Sequence, residues 1–242
     1  LQHPTVASKS FLITIGDRTV GGMVARDQFV GPFQVPVSDY SLCLRSFTSI
    51  TGEVLSIGEK PTLAITNAAA SMRMALAEAL TNMIGVVIKG LNYVQVSANW
   101  MAASGEEQQD IALRDGVEAL SKMSIDLKVS IPVGKDSLSM KTKWADNENE
   151  LEVTSPLSGV ITAMAPVEDI TLSVTPELNL DEETKILLVK LNNKKRLAGS
   201  IFSEITESHY KETPDIDDVD KFKIMFEVIQ DMIKNKKILA LH

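Results

Sequence analysis

A chain of 242 residues, 44% hydrophobic and 23% charged, is long enough for one large domain or two modest ones around a buried core. Its formal net charge of −8 argues against nucleic acid as the main partner, and no apolar run approaches the ~20 residues that span a membrane. One cysteine, Cys43, excludes an internal disulfide and fits a reducing, cytoplasmic setting, while His3, His209 and His242 are too scattered for a zinc site.

The amino terminus, LQHPTVASKSF, lacks the layout of a signal peptide, and the start at Leu1 suggests a segment of something longer. Phe11–Ile15 and Val20–Ala25 read as strands joined by a hairpin turn at Gly16-Asp17-Arg18. In ARDQFVGPFQVPVSDYS, Gly31, Pro32 and Pro36 prevent a helix and fix an extended path that delivers the Ser38 hydroxyl and the Asp39 carboxylate to a defined place. Alternatively, Asp39 is a turn residue opening the next strand, Tyr40–Phe47, in which Cys43 is a core position. Thr51–Lys60, with two glycines, reads as a loop or a short turn of helix, and Pro61–Thr66 as a short apolar strand.

The next stretch, Asn67–Ile84, is the helix around which the chain is organised. Thr66 or Asn67 can cap it, and Met72, Ala75, Leu76, Ala79, Leu80 and Met83 form a core-facing stripe at helical spacing. Arg73 and Glu78 are its only charges, and alanines flank Glu78 on both sides, so the helix is expected to be covered on most of its circumference. A covered carboxylate is costly unless paired or bound to a cation. Asn82 follows at i+4 on the same face, and two oxygen-bearing groups on one wall suit Mg²⁺. An ordinary i,i+4 hydrogen bond, or a distant Lys or Arg partner for Glu78, accounts for the same spacing.

Beyond Gly85, the second half of Val86–Ser97 alternates as a half-buried strand, and Ser104 or Gly105 opens a helix over Glu106–Met123 with Ile111, Val117 and Leu120 inward. Leu127–Val133 reads as a strand, Gly134-Lys135-Asp136 as a tight polar break before Ser137–Thr142, Asp146–Glu150 as an acidic hairpin tip or surface loop, and Leu151–Val167 as a long β-rich run. The lack of an earlier glycine and a following helix rules out a phosphate loop at Gly134-Lys135-Asp136-Ser137. A domain boundary falls near Pro166. Thr184–Leu191 then reads as an apolar strand, Leu197–Ile205 as a short helix, Asp217–Lys234 as an amphipathic helix through Phe222, Met225, Phe226, Ile229 and Ile233, and Ile238–Leu241 as the start of a strand. The alternation predicts an α+β or α/β two-layer unit, residues 1–166, followed by part of another, residues 167–242.

The segments GPFQVPVSDYS, AEALTN, SANWMAASG, IPVGKDSLSMKTKW and TSPLSGVITA, in this order and spacing, resemble the phosphoribosylformylglycinamidine synthase (formylglycinamide ribonucleotide amidotransferase) family in its large single-chain form. The resemblance runs almost from end to end. It implies the second of two aminoimidazole ribonucleotide synthetase-like modules: a complete amino-terminal domain and the start of a carboxy-terminal one, stopping before an Asp-Arg-Ser-Asp-Gly-Gly motif. It further implies that Ser38 contacts a nucleotide, ATP or ADP, held as a structural ligand, and that Asp39, Glu78 and Asn82 hold Mg²⁺. Asn99 and Gly134-Lys135-Asp136-Ser137 resemble segments that complete the active site across a module interface, with Lys135 standing where smaller relatives have Asn and so reading as a phosphate contact. The implied partners are the nucleotide, the first synthetase module and the glutaminase domain of a parent chain, with a homodimer where the first module is missing. The implied parent activity is an ATP-dependent carbon–nitrogen ligase that turns an amide oxygen into an amidine nitrogen using glutamine, and the segment alone is expected to be inactive. Two other readings compete: another synthetase of the same superfamily, such as aminoimidazole ribonucleotide or selenophosphate synthetase, and a non-catalytic nucleotide-binding or interaction module.

Overall fold

The computed structural model describes residues 1–242 apart from 17, 20, 147, 148, 181 and 182. In chain order the elements are α1 (Ser10–Ile15), β1 (Val24–Arg26), β2 (Ser41–Leu44), β3 (Gly52–Glu59), α2 (Pro61–Ala64), α3 (Ala68–Met83), β4 (Gln95–Met101), α4 (Glu107–Leu127), β5 (Ser130–Ser137), β6 (Lys141–Asp146), β7 (Asn149–Thr154), β8 (Ser158–Val167), α5 (Ile201–Ile205) and α6 (Val219–Lys234). Six strands form one sheet in the order β1-β2-β3-β8-β4-β5, antiparallel throughout except for β4 and β5, and β6 and β7 form a separate hairpin. The parallel pair follows from its connection, because α4 carries the chain back across the sheet between β4 and β5. This is a mixed α/β fold with helices layered on one face of a sheet.

The core lies between that sheet and α3. Period-2 alternation turns Val54, Ser56 and Gly58 of β3, Val96 and Ala98 of β4, and Ile161, Ala163 and Ala165 of β8 inward. Against them α3 lays its stripe of Met72, Ala75, Leu76, Ala79, Leu80 and Met83, all fully buried. Ala68, Ala70 and Ala77 are buried too, so the helix is covered on most sides, as its lack of charge predicts. Asn67 caps it, its side chain accepting a 2.9 Å bond from the Ala70 amide. A Cβ on Gly58 would lie 2.1 Å from the Ala75 carbonyl oxygen, so this glycine is what lets the helix backbone rest directly on the strand.

The carboxy-terminal helix α6 joins the same core through Phe222 and Phe226. Gln230 ties it to the turn after α3: its Oε1 accepts from the Ile88 amide, and its Nε2 donates to the carbonyls of Ile84 and Val86. On α4 the inward residues are Gly116, Ala119, Leu120, Met123 and Leu127. Ile111 and Val117, expected inward with Leu120, are exposed, because the buried stripe is set by close packing near Gly116, whose Cβ would press on Leu157 and Met72.

Several predicted elements differ. Phe11–Ile15 is helical, not a strand, with no buried residue; the proposed turn includes residue 17, which lies outside the described residues. Thr51–Lys60 is not a loop but the strand β3, and its glycines serve contact: a Cβ on Gly52 would sit 2.1 Å from the Cys43 carbonyl oxygen. Pro61–Thr66 opens the short helix α2, with Pro61 in the first turn where its missing N–H costs nothing. Gly134-Lys135-Asp136 continues β5 instead of breaking it. Residues 184–191 and 238–241 form no strand, since neither finds a ladder partner among the described residues. The acidic hairpin is present as β6–β7, with tip residues 147 and 148 outside the described residues. Cys43 is half-buried in β2 beside the fully buried Leu42.

Candidate functional site

The segment before β2 folds back on itself. Phe29 bridges Val37, the Val30 amide donates to the Pro36 carbonyl at 2.9 Å, and the Ser38 amide donates to the Gln28 carbonyl at 2.8 Å. Gly31 (φ +79°) and Gln34 (φ 50°) take the left-handed conformations that close this loop. Ser38 then donates its hydroxyl to the Tyr40 carbonyl at 2.8 Å, and buried Tyr40 anchors the chain by donating its own hydroxyl to the Val174 carbonyl at 2.6 Å. Between them Asp39 is held largely out of solvent. Burial pushes its carboxyl above the ordinary range, partly offset by the charge and hydrogen bond of His242, whose Nδ1 lies 2.8 Å from Oδ1.

Asp39 enters the sheet beside the outgoing half of β3. Ser41 is opposite Leu55 in an antiparallel pair, so the residues preceding Ser41 run toward Ile57, Gly58 and Glu59. One face of α3 is stitched to this same half. Ser71 donates to the Lys60 carbonyl at 2.6 Å, Ser56 to the Ala79 carbonyl at 2.6 Å, and Asn82 Nδ2 to the Ile57 carbonyl at 2.8 Å. Glu78 accepts the Glu59 amide on Oε2 at 2.7 Å and the Lys60 ammonium on Oε1. Glu78 and Asn82 thus reach the same half of β3 from α3, while Asp39 precedes the neighbouring strand β2 and pairs with His242. The distant lysine partner of Glu78 is Lys60, 18 residues upstream, and Asn82 bonds to the strand, not to Glu78.

Two carboxylates and an amide oxygen are hard donors of the kind Mg²⁺ takes, and a half-buried acid such as Asp39 gains from a nearby cation. Among the described residues no group of three or more His, Cys, Asp or Glu side chains is placed to hold a metal. An ion here would therefore rest on this small donor set and keep several waters.

A second cluster sits on the parallel pair. Asn99 is opposite Lys135, Ala98 opposite Gly134 and Met101 opposite Ser137. The side-chain period puts Lys135 and Ser137 on one face, and the Lys135 ammonium donates to the Ser137 hydroxyl at 2.8 Å. A Cβ on Gly134 would lie 2.4 Å from the Ala98 carbonyl oxygen, so the glycine permits the close strand approach that brings Asn99 beside Lys135. Strand β5 is the sheet edge and Lys135 is exposed, leaving an ammonium, a hydroxyl and an amide available to an anion. Ser38, in the loop before β2, lies apart from Asn99, Gly134, Lys135 and Ser137 on β4 and β5, with β3 and β8 between these strands and β2.

An open cleft of about 430 Å³ adjoins the Asp39 segment, between residues 25–31 and 173–177, and Arg26, Asp27, Phe29 and Glu177 line it. The Arg26 guanidinium donates there to the Ser173 hydroxyl at 3.1 Å. Neither Arg26, Lys60 nor His242 is marked by any sequence spacing; each reaches the site only through the tertiary fold.

Three solved structures resemble this fold. PurLQS from Thermotoga maritima aligns at 15% identity and a TM-score of 0.51, over 71% of this chain and 25% of that one. T. maritima PurL complexed with FGAR aligns at 14% identity and a TM-score of 0.44, over 58% of this chain and 21% of that one. Thiamine monophosphate kinase from Aquifex aeolicus aligns at 8% identity and 0.41, over 60% of this chain and 41% of that one. The chain thus spans only about a quarter of the length of the PurL-type chains it matches. The family model described as the FGAR-AT PurM_N-like domain matches residues 8–166, well over half of the sequence, and the chain belongs to that family.

Proposed function

We propose that this chain provides a Mg-nucleotide site and one wall of the active site of an enzyme that converts formylglycinamide ribonucleotide, ATP and glutamine to formylglycinamidine ribonucleotide. In this reading residues 1–166 are the amino-terminal domain of a second synthetase-type module and 167–242 the start of its carboxy-terminal domain, working in the cytoplasm with a first module and a glutaminase domain. The observation that supports it best is that Glu78 and Asn82 reach one half of β3 from α3, beside the strand that Asp39 precedes, in a chain of this family.

Mg²⁺ bound there would neutralise charge on the nucleotide's phosphates. The chain's own residues do the rest. The loop anchored by Tyr40 fixes Ser38 and Asp39, so the hydroxyl and carboxylate meet the ligand with little ordering cost. The Glu59 amide fixes Oε2 of Glu78, and the Ile57 carbonyl fixes the Asn82 amide so that its Oδ1 is the free oxygen. At the sheet edge, Asn99, Gly134, Lys135 and Ser137 would receive a phosphate through the ammonium, the hydroxyl and the approach that Gly134 allows. The exposed Ile57 and Val133 suit cover by a partner module, or by a second copy of this chain.

Calorimetry with ATP or ADP, with and without Mg²⁺, tests the reading. Saturable binding that requires Mg²⁺ is expected; heat-silent titrations under both conditions contradict it.

A further inference from the structure

We propose that Lys60 is the resident counter-cation of Glu78 and is displaced when a divalent ion binds, so that Lys60 sets the Mg²⁺ concentration at which the site fills. This rests on the Mg-nucleotide reading above. The two oxygens of Glu78 are not equivalent. Oε2 takes the Glu59 backbone amide at 2.7 Å, a fixed donor, while Oε1 takes the Lys60 ammonium, a mobile one.

Exchanging the ammonium for a metal ion at Oε1 therefore leaves the carboxylate oriented by the backbone. The Lys60 main chain stays in place too, since the Ser71 hydroxyl, on a residue buried to 1% exposure, holds its carbonyl at 2.6 Å. Only the side chain has to move, and it is 35% exposed, with open solvent to move into. Without an ion the pair spares Glu78, flanked by Ala77 and Ala79, an uncompensated charge. With one, two cations contend for the same oxygen, and the divalent ion must overcome the ion pair before it binds.

The test follows melting temperature as Mg²⁺ is titrated into the chain and its Lys60→Met, Lys60→Gln, Lys60→Arg and Glu78→Gln variants at fixed ionic strength. In wild type a Glu78-dependent rise is expected. In Lys60→Met the metal-free melting point should be lower, and half-saturation should move to lower Mg²⁺ by up to about fivefold, the ceiling for a half-exposed ion pair. Lys60→Arg retains the competitor and should stay close to wild type, while Lys60→Gln, polar but uncharged, should shift as Lys60→Met does and keeps the comparison decisive if the Met variant folds poorly. A wild-type response that depends on Glu78 but does not shift in Lys60→Met, with Arg and Met variants alike, overturns this inference and leaves the site reading standing. If wild type and Glu78→Gln both ignore Mg²⁺, the site reading falls and takes this inference with it.

Discussion

Helix α3 and the run from 186 to 189 are both rich in apolar side chains, yet they end up in opposite environments. Met72, Leu76, Leu80 and Met83 are fully buried, whereas Ile186, Leu187 and Leu188 are 78–80% exposed. The difference lies in the surroundings. An α-helix satisfies its own backbone, so α3 needs only a surface to lie on, and β3 offers one relieved by Gly58. A strand needs a neighbour's N–H and C=O groups, and residues 184–191 have no ladder among the described residues. Hydrophobicity states a preference for burial; the fold decides whether a matching surface exists. Glu78 and Asn82 of the candidate site sit on the α3 side of this divide.

The comparison breaks most visibly at Gly58. Gly58→Val would place a side chain against the Ala75 carbonyl and the Ala79 amide of α3, neither of which can give way. A loss of about 3 kcal/mol or more is expected from thermal or urea unfolding, with the carboxylate of Glu78 displaced from the Glu59 amide.

Asp39 sharpens the contrast with a smaller effect. Its folded-state carboxyl titrates above the ordinary value, chiefly through burial, so the ionised form is disfavoured on folding. Its contribution to stability is intact below the unfolded pKa and is lost as pH rises through the folded one. Asp39→Asn is therefore expected to raise the melting temperature at neutral pH, with the gain vanishing below the ordinary carboxylate range. A pH series of melting curves checks this, and a gain that grows in acid contradicts it. At the other extreme, Leu187→Ser removes an exposed side chain and should change stability by no more than about 0.5 kcal/mol.

How far the sequence could be read follows the same divide. Helices α3 and α6 were legible because periodicity and caps are local: Asn67 and Asp218 each accept an amide three residues on. The β3 strand was not, because its glycines look like loop residues until the Cys43 and Ala75 carbonyls they admit are in place. Phe11–Ile15 and Pro61–Thr66 carried strand-like composition, but short apolar runs take whichever geometry their neighbours leave open. In the site, Glu78 and Asn82 were visible as oxygen-bearing groups one turn apart on a nearly uncharged helix. Lys60 and His242 were invisible, since they reach Glu78 and Asp39 from 18 and 203 residues away. The strand pairing that puts Asn99 beside Lys135 was likewise hidden, because Gly134 reads as a break.

The central claim is that Glu78 holds a metal–nucleotide complex, not merely an ion pair. Calorimetry of Mg-ADP binding, run with melting curves on wild type and Glu78→Ala, tests it most directly. The account predicts an affinity loss of about tenfold or more, as for other groups that hold a metal. Only a small fall in melting temperature should accompany it, because Lys60 is left half-exposed and can be solvated. A large fall in melting temperature with unchanged affinity for Mg-ADP would contradict it.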